Sequence, residues 1–455
     1  MFEKESLNLR VELINKMQKK LGGEMKKNYD WLIVGMALFS MFFGAGNLIF
    51  PPSVGLSMGE NWLPSAFGFA LTGIGLPVLG VLTMNKVGSF KAFSGGVSKL
   101  FFTLYSLLLM TSVVFTNTPR TAATAYELGI VPNLGGFNLS PIAVSLIFFA
   151  FTLYIALNPS KAIDRIGKIL TPTIVVITLS IIYMGVTNKI GAPGTPHLDV
   201  NSFGFGFSQG YQTMDGIMAG LFSMVILSNL GARGYTKKSE KAEIIKRASV
   251  VTGIGLLVIY IGLFYLGATG NQYFPADISR SALVSNFVNM FLGQYGNLIF
   301  GVCVTVACLS TATALTMVVS QFFFDTYGFS YKKVAYISCA ISAFMANFGV
   351  DRIVGVAEPI LAILYPITIV LIFVGIAGIL EGPIRRNTII VSGLVSILQV
   401  VSEKTDVKII DGLYNNIPLS SAGFAWVLPT VIAGALSVYM VKNNKEKEDV
   451  VLKDA

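Results

Sequence analysis

Six stretches of the chain, at 31–59, 61–85, 128–160, 248–276, 281–324 and 412–441, contain no Asp, Glu, Lys or Arg. A helix that crosses the hydrocarbon core of a bilayer needs about 20 predominantly apolar residues, and each stretch exceeds that. Soluble domains carry about 25% charged residues. Here the fraction is 13%, against 53% hydrophobic, with a mean hydropathy of +0.69. The pattern predicts an all-α polytopic membrane protein. It excludes disorder, a coiled coil and an ordinary cytosolic enzyme.

Twelve spans are predicted, near 30–52, 61–85, 97–127, 140–158, 166–188, 207–231, 247–268, 294–324, 333–350, 355–380, 387–402 and 422–441. The third contains Pro119 and Arg120, so an earlier end near Thr118 is the alternative. The run at 281–324 is too long for one span, and 281–292 reads as a short outer helix. With the N-terminus placed inside, only Arg120, Lys189, Arg280, Arg352, Lys404 and Lys408 of the 33 lysines and arginines fall outside the cytoplasmic segments. The positive-inside rule expects that asymmetry, with both termini cytoplasmic. It also accounts for the net charge of +9 without a nucleic-acid partner. Trp31, Trp62 and Trp426 lie at span ends, as interfacial anchors do.

Other chemistry has little material. Cys303, Cys308 and Cys339 sit in apolar runs, and His197 is the one histidine. A disulfide framework, a zinc site and His-based catalysis are therefore not expected. Residues 1–29 lack the apolar core of a cleavable signal peptide, and Met25 is a second candidate start.

The segment Asp164-Arg165-Ile166 opens the fifth span, and Asp351-Arg352-Ile353 opens the tenth. Pro172 and Pro359 each follow eight residues after the aspartate. By the topology above, the two motifs face opposite sides, which is the mark of an inverted-topology repeat. The chain then divides into a tail (1–29), a first repeat (30–188), an outer loop with a second repeat (189–380), two further spans (381–441) and a C-terminal tail (442–455).

Inverted repeats place interrupted helices at their first spans, here the first and sixth. The first contains Gly44-Ala45-Gly46-Asn47 and closes on Pro51-Pro52. The sixth holds Gly204, Gly206, Gly210 and Gly216 around Tyr211-Gln212-Thr213-Met214-Asp215. Close helix crossing through glycine is the competing structural explanation. A charged group near the bilayer centre costs about 2.5–3.5 kcal/mol on insertion scales, so Asp215 and Glu358 are functional candidates. Asp215 suits an ammonium group or a cation, or else pairs structurally with Arg120. Glu358 suits a structural or a proton-relay role. In the eighth span Thr305, Ser310, Thr311, Thr313 and Thr316 offer hydroxyl oxygens, with Ser310-Thr311 singled out for a cation. Back-bonding within the helix is the bland reading for most of them.

The segment Phe42-Phe43-Gly44-Ala45-Gly46-Asn47-Leu48-Ile49-Phe50-Pro51-Pro52 resembles the first-span signature of the bacterial branched-chain amino acid:cation symporter family. Gly210-Tyr211-Gln212-Thr213-Met214-Asp215, Pro119-Arg120-Thr121-Ala122, Ala307-Cys308-Leu309-Ser310-Thr311 and the stretch 158–172 resemble it too. The likeness runs from about residue 27 to 441.

This resemblance implies the leucine-transporter fold, a 5+5 inverted repeat plus two helices. It further implies uptake of leucine, isoleucine and valine with sodium or protons as coupling ion and no cofactor. The backbone amides of Ala45 and Gly46, in the Gly44–Asn47 break, would take the substrate carboxylate. Carbonyls near Tyr211, Thr213 and Met214, with Asp215, would take the ammonium. A sodium ion would sit on the carbonyls of Ser40, Phe43 and Ala307 and the hydroxyls of Ser310 and Thr311. A second cation position near Asn47 and Thr213 is less secure, because Asp215 stands where broader relatives carry a small neutral residue. A channel or passive facilitator is the alternative function. Carbonyl-filter sequence or a ring of acidic residues would favour it, and neither is present. No P-loop is found.

Overall fold

The computed structural model describes residues 29–135, 139–158, 161–188, 190–405 and 407–453. The tail at 1–28, with Met25, and Lys189 lie outside the described residues. Every regular element assigned among the described residues is helical. The first elements are α1 (Asp30–Phe42), α2 (Ala45–Met58), α3 (62–87), α4 (Phe90–Gly95) and α5 (Lys99–Asn133). There follow α6 (Pro141–Leu157), α7 (Lys161–Thr187), α8 (Ser202–Gly210), α9 (Asp215–Ala232) and α10 (Lys238–Thr269). The remainder comprises α11 (Arg280–Tyr327), α12 (Tyr331–Ala346), α13 (Val350–Ala377), α14 (Pro383–Lys404), α15 (Lys408–Asn415) and α16 (Val427–Lys453). Among the described residues, 7 helical runs are long and apolar enough to cross a membrane, and shorter apolar helices accompany them.

Two sequence-based boundaries need correction. The third span does not stop near Thr118, because α5 continues to Asn133. Pro119 is accommodated because the preceding residues Val113–Asn117 are π-helical. A π segment shifts the hydrogen-bond register, so the bond that proline removes and the clash it would cause with the turn before it are absorbed there. A second π segment follows at Ala125–Ile130. Pro51 and Pro52 likewise do not end the first span; they lie inside α2, which runs on to Met58. The outer helix at 281–292 and the eighth span form one element, α11, that turns at Gly293, where φ is 67°.

The interrupted helices lean on continuous ones. Both α1 and α2 pack along α10, while α8 and α9 pack along α3. Small residues set how closely they approach. A Cβ on Gly206 would fall 1.9 Å from the Ser65 carbonyl oxygen, and one on Gly68 would fall 2.2 Å from that of Phe203. Helices in lipid associate through this kind of backbone approach, since lipid tails remove the hydrophobic drive between them. The repeated Asp-Arg-Ile motifs fall within the first two turns of α7 and α13, with Pro172 and Pro359 inside those helices.

Buried Arg385 at the start of α14 donates to the carbonyls of Ile379, at 3.1 Å, and Phe93. It ties the α13–α14 turn to α4. Cys303, Cys308 and Cys339 are all free and buried.

Candidate functional site

The first break occupies Phe43 and Gly44. Phe43 has φ −78° and ψ 83°, and Gly44 is extended at φ −108° and ψ −173°. Helix α2 starts afresh after it, with no side chain capping its N-terminus. The Asn47 amide donates to the Gly44 carbonyl at 3.1 Å. The Ala45 and Gly46 amides donate to no acceptor among the described residues. An exposed pair of N–H groups at the positive end of a helix is an anion receptor. Further along, Pro51 and Pro52 have no N–H, so the carbonyls of Asn47 and Leu48 one turn back lack their usual helical donor.

The second break lies between α8 and α9. After a 3₁₀ turn at Tyr211–Thr213, Met214 adopts φ 62° and ψ 4°, left-handed backbone in a fully buried non-glycine residue. Such a conformation costs on the order of 1–3 kcal/mol and clusters at functional sites. Glycine is therefore not what opens this helix. Gly204, Gly206 and Gly210 belong to the intact α8, where they permit close approach, Gly210 against Thr72 of α3. The packing explanation holds for these glycines, and the break stands one turn further on.

Side chains join the two breaks. Asn47 donates Nδ2 to Asp215 Oδ2 at 2.8 Å and is also bonded to the Tyr260 hydroxyl from α10. Asp215 is 6% exposed and Asn47 2%. Thr213 turns its hydroxyl to the Gly210 carbonyl at 3.0 Å and accepts the Asp215 amide at 3.4 Å. The Tyr211 ring stacks on Tyr365 of α13 with centroids 4.1 Å apart.

Arg120, on the α-helical segment of α5 between its two π stretches, does not form the ion pair with Asp215 that the sequence offered as a structural role. Its Nη1 donates to the Gln212 carbonyl at 2.6 Å and its Nη2 to Asn117 Oδ1 at 3.3 Å. The guanidinium also lies 5.3 Å from the Phe50 ring centroid. Sequence reasoning missed Tyr260, Tyr365 and Phe50. Each is an aromatic residue in an apolar run, with nothing local to separate it from packing.

The cation candidates divide between two elements. Ser40 and Phe43 close α1, while Ala307, Ser310 and Thr311 share one face of α11 at i, i+3, i+4 spacing. Helix α11 packs extensively on α2, beyond the break, and not to that extent on α1. Thr311 donates to the Ala307 carbonyl at 3.0 Å, as Thr305 does to Gly301 and Thr313 to Leu309, both at 2.8 Å. A hydroxyl that donates its proton keeps its oxygen lone pairs, so Thr311 stays a competent ligand. Ser310 is half-buried, and its hydroxyl makes no hydrogen bond among the described residues. Three backbone carbonyls and two hydroxyls would suit a hard cation with oxygen preference.

Glu358 is exposed on α13 and accepts Nε2 of Gln209, in the last turn of α8, at 3.4 Å. A polar cavity of about 620 Å³ lies beside the start of α13, lined by Glu127, Ser281, Asn286, Asn297, Asp351 and Arg352 among others. At its edge Arg280 is paired with Asp351, and its guanidinium lies 5.7 Å from the same Phe50 ring that Arg120 covers.

Residues 27–444 match the family described as branched-chain amino acid transport protein. The chain belongs to that family. It is 36% identical over 425 residues to the branched-chain amino acid permease BraB of Bacillus subtilis, covering 90% of this chain and 95% of that one. Identity is 32% over 427 residues to the branched-chain amino acid transport system 2 carrier protein of Pseudomonas aeruginosa, covering 90% and 96%. Membership places the chain among transporters rather than enzymes. Among solved structures, it is similar to the nucleobase-cation-symport-1 family transporter Mhp1 in a closed conformation (TM-score 0.60, 14% identity, 90% and 91% coverage). It is also similar to MhsT in complex with L-phenylalanine (TM-score 0.54, 16% identity, 89% and 97% coverage). These likenesses carry the fold, an all-helical multi-span membrane architecture with neighbours of the leucine-transporter type.

Proposed function

We propose that this family member imports leucine, isoleucine and valine by symport with sodium or protons, through alternating access around a midplane site. The observation that carries the reading is the meeting of two helix breaks, joined by the Asn47–Asp215 hydrogen bond. Interrupted helices at corresponding positions of two repeats mark the binding site of transporters that rock one bundle against another. In this reading the chain crosses the membrane twelve times with both termini cytoplasmic, as its lysines and arginines favour. The free amides of Ala45 and Gly46 receive the carboxylate. Carbonyls at Tyr211, Thr213 and Met214, with Asp215, receive the ammonium. Ser40, Phe43, Ala307, Ser310 and Thr311 supply the oxygens for sodium, and Asp215 or Glu358 carries the proton if protons drive transport.

Labelled-leucine uptake into proteoliposomes, with sodium and proton gradients imposed separately, tests it. Accumulation above equilibrium under either gradient is the expected result and names the ion. Equilibration without accumulation under both would replace the symporter with a passive facilitator.

A further inference from the structure

Arg120 presents a charge problem. Its side chain is 3% exposed, and among the described residues no carboxylate stands within ion-pair distance of it. Its hydrogen-bond partners are neutral: the Gln212 carbonyl and the Asn117 side-chain oxygen. The nearby acid, Asp215, is hydrogen-bonded to Asn47 and acts on Arg120 only through space, without an ion-pair contact. A buried guanidinium whose direct contacts are all neutral is incompletely compensated, because buried charges are ordinarily paired in contact.

The position of the group is equally specific. A Cβ placed on Gly46 would sit 3.2 Å from Arg120 Nη2, so this nitrogen lies against the opening turn of α2. The amides of Ala45 and Gly46 are free in that turn. Helix geometry aims the residue there. Arg120 lies in the short α-helical segment Thr118–Thr124, with π segments at Val113–Asn117 and Ala125–Ile130 before and after it. Each π segment re-registers the helix, and such segments gather at functional sites. The Phe50 ring beneath the guanidinium supports a cation without neutralising it.

We propose that Arg120 is a substrate-reading residue, the counter-charge for the carboxylate that the N-terminus of α2 receives. A guanidinium has five N–H donors in a planar fork. With Nη1 on Gln212 and one Nη2 bond to Asn117, donors remain for a carboxylate oxygen. The site then demands a full zwitterion, the carboxylate held between Arg120 and the α2 amides. Because Arg120 is bonded to the carbonyl of Gln212 in the second break, an anion arriving at the first break also acts on the second. Gln212 itself is 1% exposed and its side-chain Oε1 has no partner among the described residues, an acceptor left for the ammonium end.

This inference rests on the proposed amino-acid site, and the test separates the two. Purified full-length protein in detergent is assayed for labelled-leucine binding, with unlabelled leucine and leucinamide as competitors. Leucinamide keeps the side chain and ammonium but lacks the carboxylate charge. The wild type is expected to prefer leucine. Arg120→Gln should lose roughly ten- to hundredfold in leucine affinity, the range of a charge-assisted bond. Its leucinamide affinity, read by tryptophan fluorescence or calorimetry, should change less than about threefold on the same scale. Arg120→Lys should recover part of the preference for leucine and guards against a variant that does not fold. Equal losses for both ligands in Arg120→Gln and Arg120→Lys would make Arg120 a brace for Gln212 and overturn the proposal. Unchanged leucine affinity in Arg120→Gln would also overturn it. If the wild type bound no branched-chain ligand, the amino-acid site itself would fall first, and this inference with it.

Discussion

Asn47 Nδ2 lies 2.8 Å from Asp215 Oδ2, so residues 168 positions apart, one beyond each helix break, are directly hydrogen-bonded. Each break also has local hydrogen bonds, from the Asn47 amide to Gly44 at the first and around Thr213 at the second. The first has no side-chain cap on α2, and the second is held open by left-handed backbone at Met214. The Asn47–Asp215 bond adds a contact that crosses from one break to the other. A ligand that moves either break is felt at both.

The first prediction concerns that link. Asn47→Ala removes the donor and Asp215→Asn the negative charge of the acceptor, in a hydrogen bond to a charged group worth about 1.5–3 kcal/mol. Each single variant should weaken leucine binding by a similar factor, and the double variant should be little worse than either. A thermodynamic cycle on equilibrium binding measures the coupling. Additive losses would mean that the two residues act independently.

Much of this arrangement could be read from the sequence, and the remainder has a physical reason for being hidden. Charge-free runs reveal membrane helices because bilayer thickness sets their length. A carboxylate such as Asp215 stands out in an apolar span for the same reason. Helix register leaves no such trace. The π segments around Arg120 depend on which carbonyl each amide chooses, and no residue type dictates that choice. Met214 carries left-handed backbone where sequence patterns point to glycine, so the neighbouring glycines drew attention that their packing role explains. Tyr260 meets Asn47 from α10 only in three dimensions, across 213 positions of chain.

A second prediction separates packing glycines from the break. Gly206→Ala would put a Cβ 1.9 Å from the Ser65 carbonyl, whereas a Cβ on Gly44 meets nothing within 4 Å. Overpacking of this kind costs typically about 1–3 kcal/mol. Gly206→Ala should lower the unfolding midpoint in detergent by several degrees, and Gly44→Ala should leave it close to the wild type. Scanning fluorimetry on the two purified variants decides this.

The third prediction addresses the coupling ion. The Ser310 hydroxyl has no hydrogen bond among the described residues, and Thr311 donates its proton to Ala307 while keeping its oxygen lone pairs. If sodium is held here, Ser310→Ala and Thr311→Ala each remove one oxygen ligand. The half-saturating sodium concentration for leucine uptake should then rise about tenfold, the equivalent of about 1.4 kcal/mol. Uptake at saturating sodium should fall much less, and Thr311→Ser should behave like the wild type. Unchanged sodium dependence in both alanine variants would move the ion elsewhere.

The last prediction lies at the other end of α1. Asp30 opens that helix and accepts two bonds from the segment after α9: Arg233 Nη1 at 2.5 Å and the Tyr235 hydroxyl at 2.9 Å. The start of the first interrupted helix is thereby tied to the end of the second. Burial, with the Asp30 carboxylate beside it, pushes the Tyr235 phenol from the usual 10.0 up to about 12. Since the folded value is raised, the phenol's contribution is fully present below pH 10.0 and is lost only as pH rises through about 12. The tie should therefore hold at pH 9. Asp30→Ala should free the start of α1 and increase the reaction of a cysteine placed at Ser40 with a membrane-impermeant thiol reagent applied from the cytoplasmic side. Tyr235→Phe should give a smaller increase of the same sign. Labelling rates from inside-out vesicles read both effects, and equal rates in all three proteins would mean that the Asp30 bonds do not restrain α1.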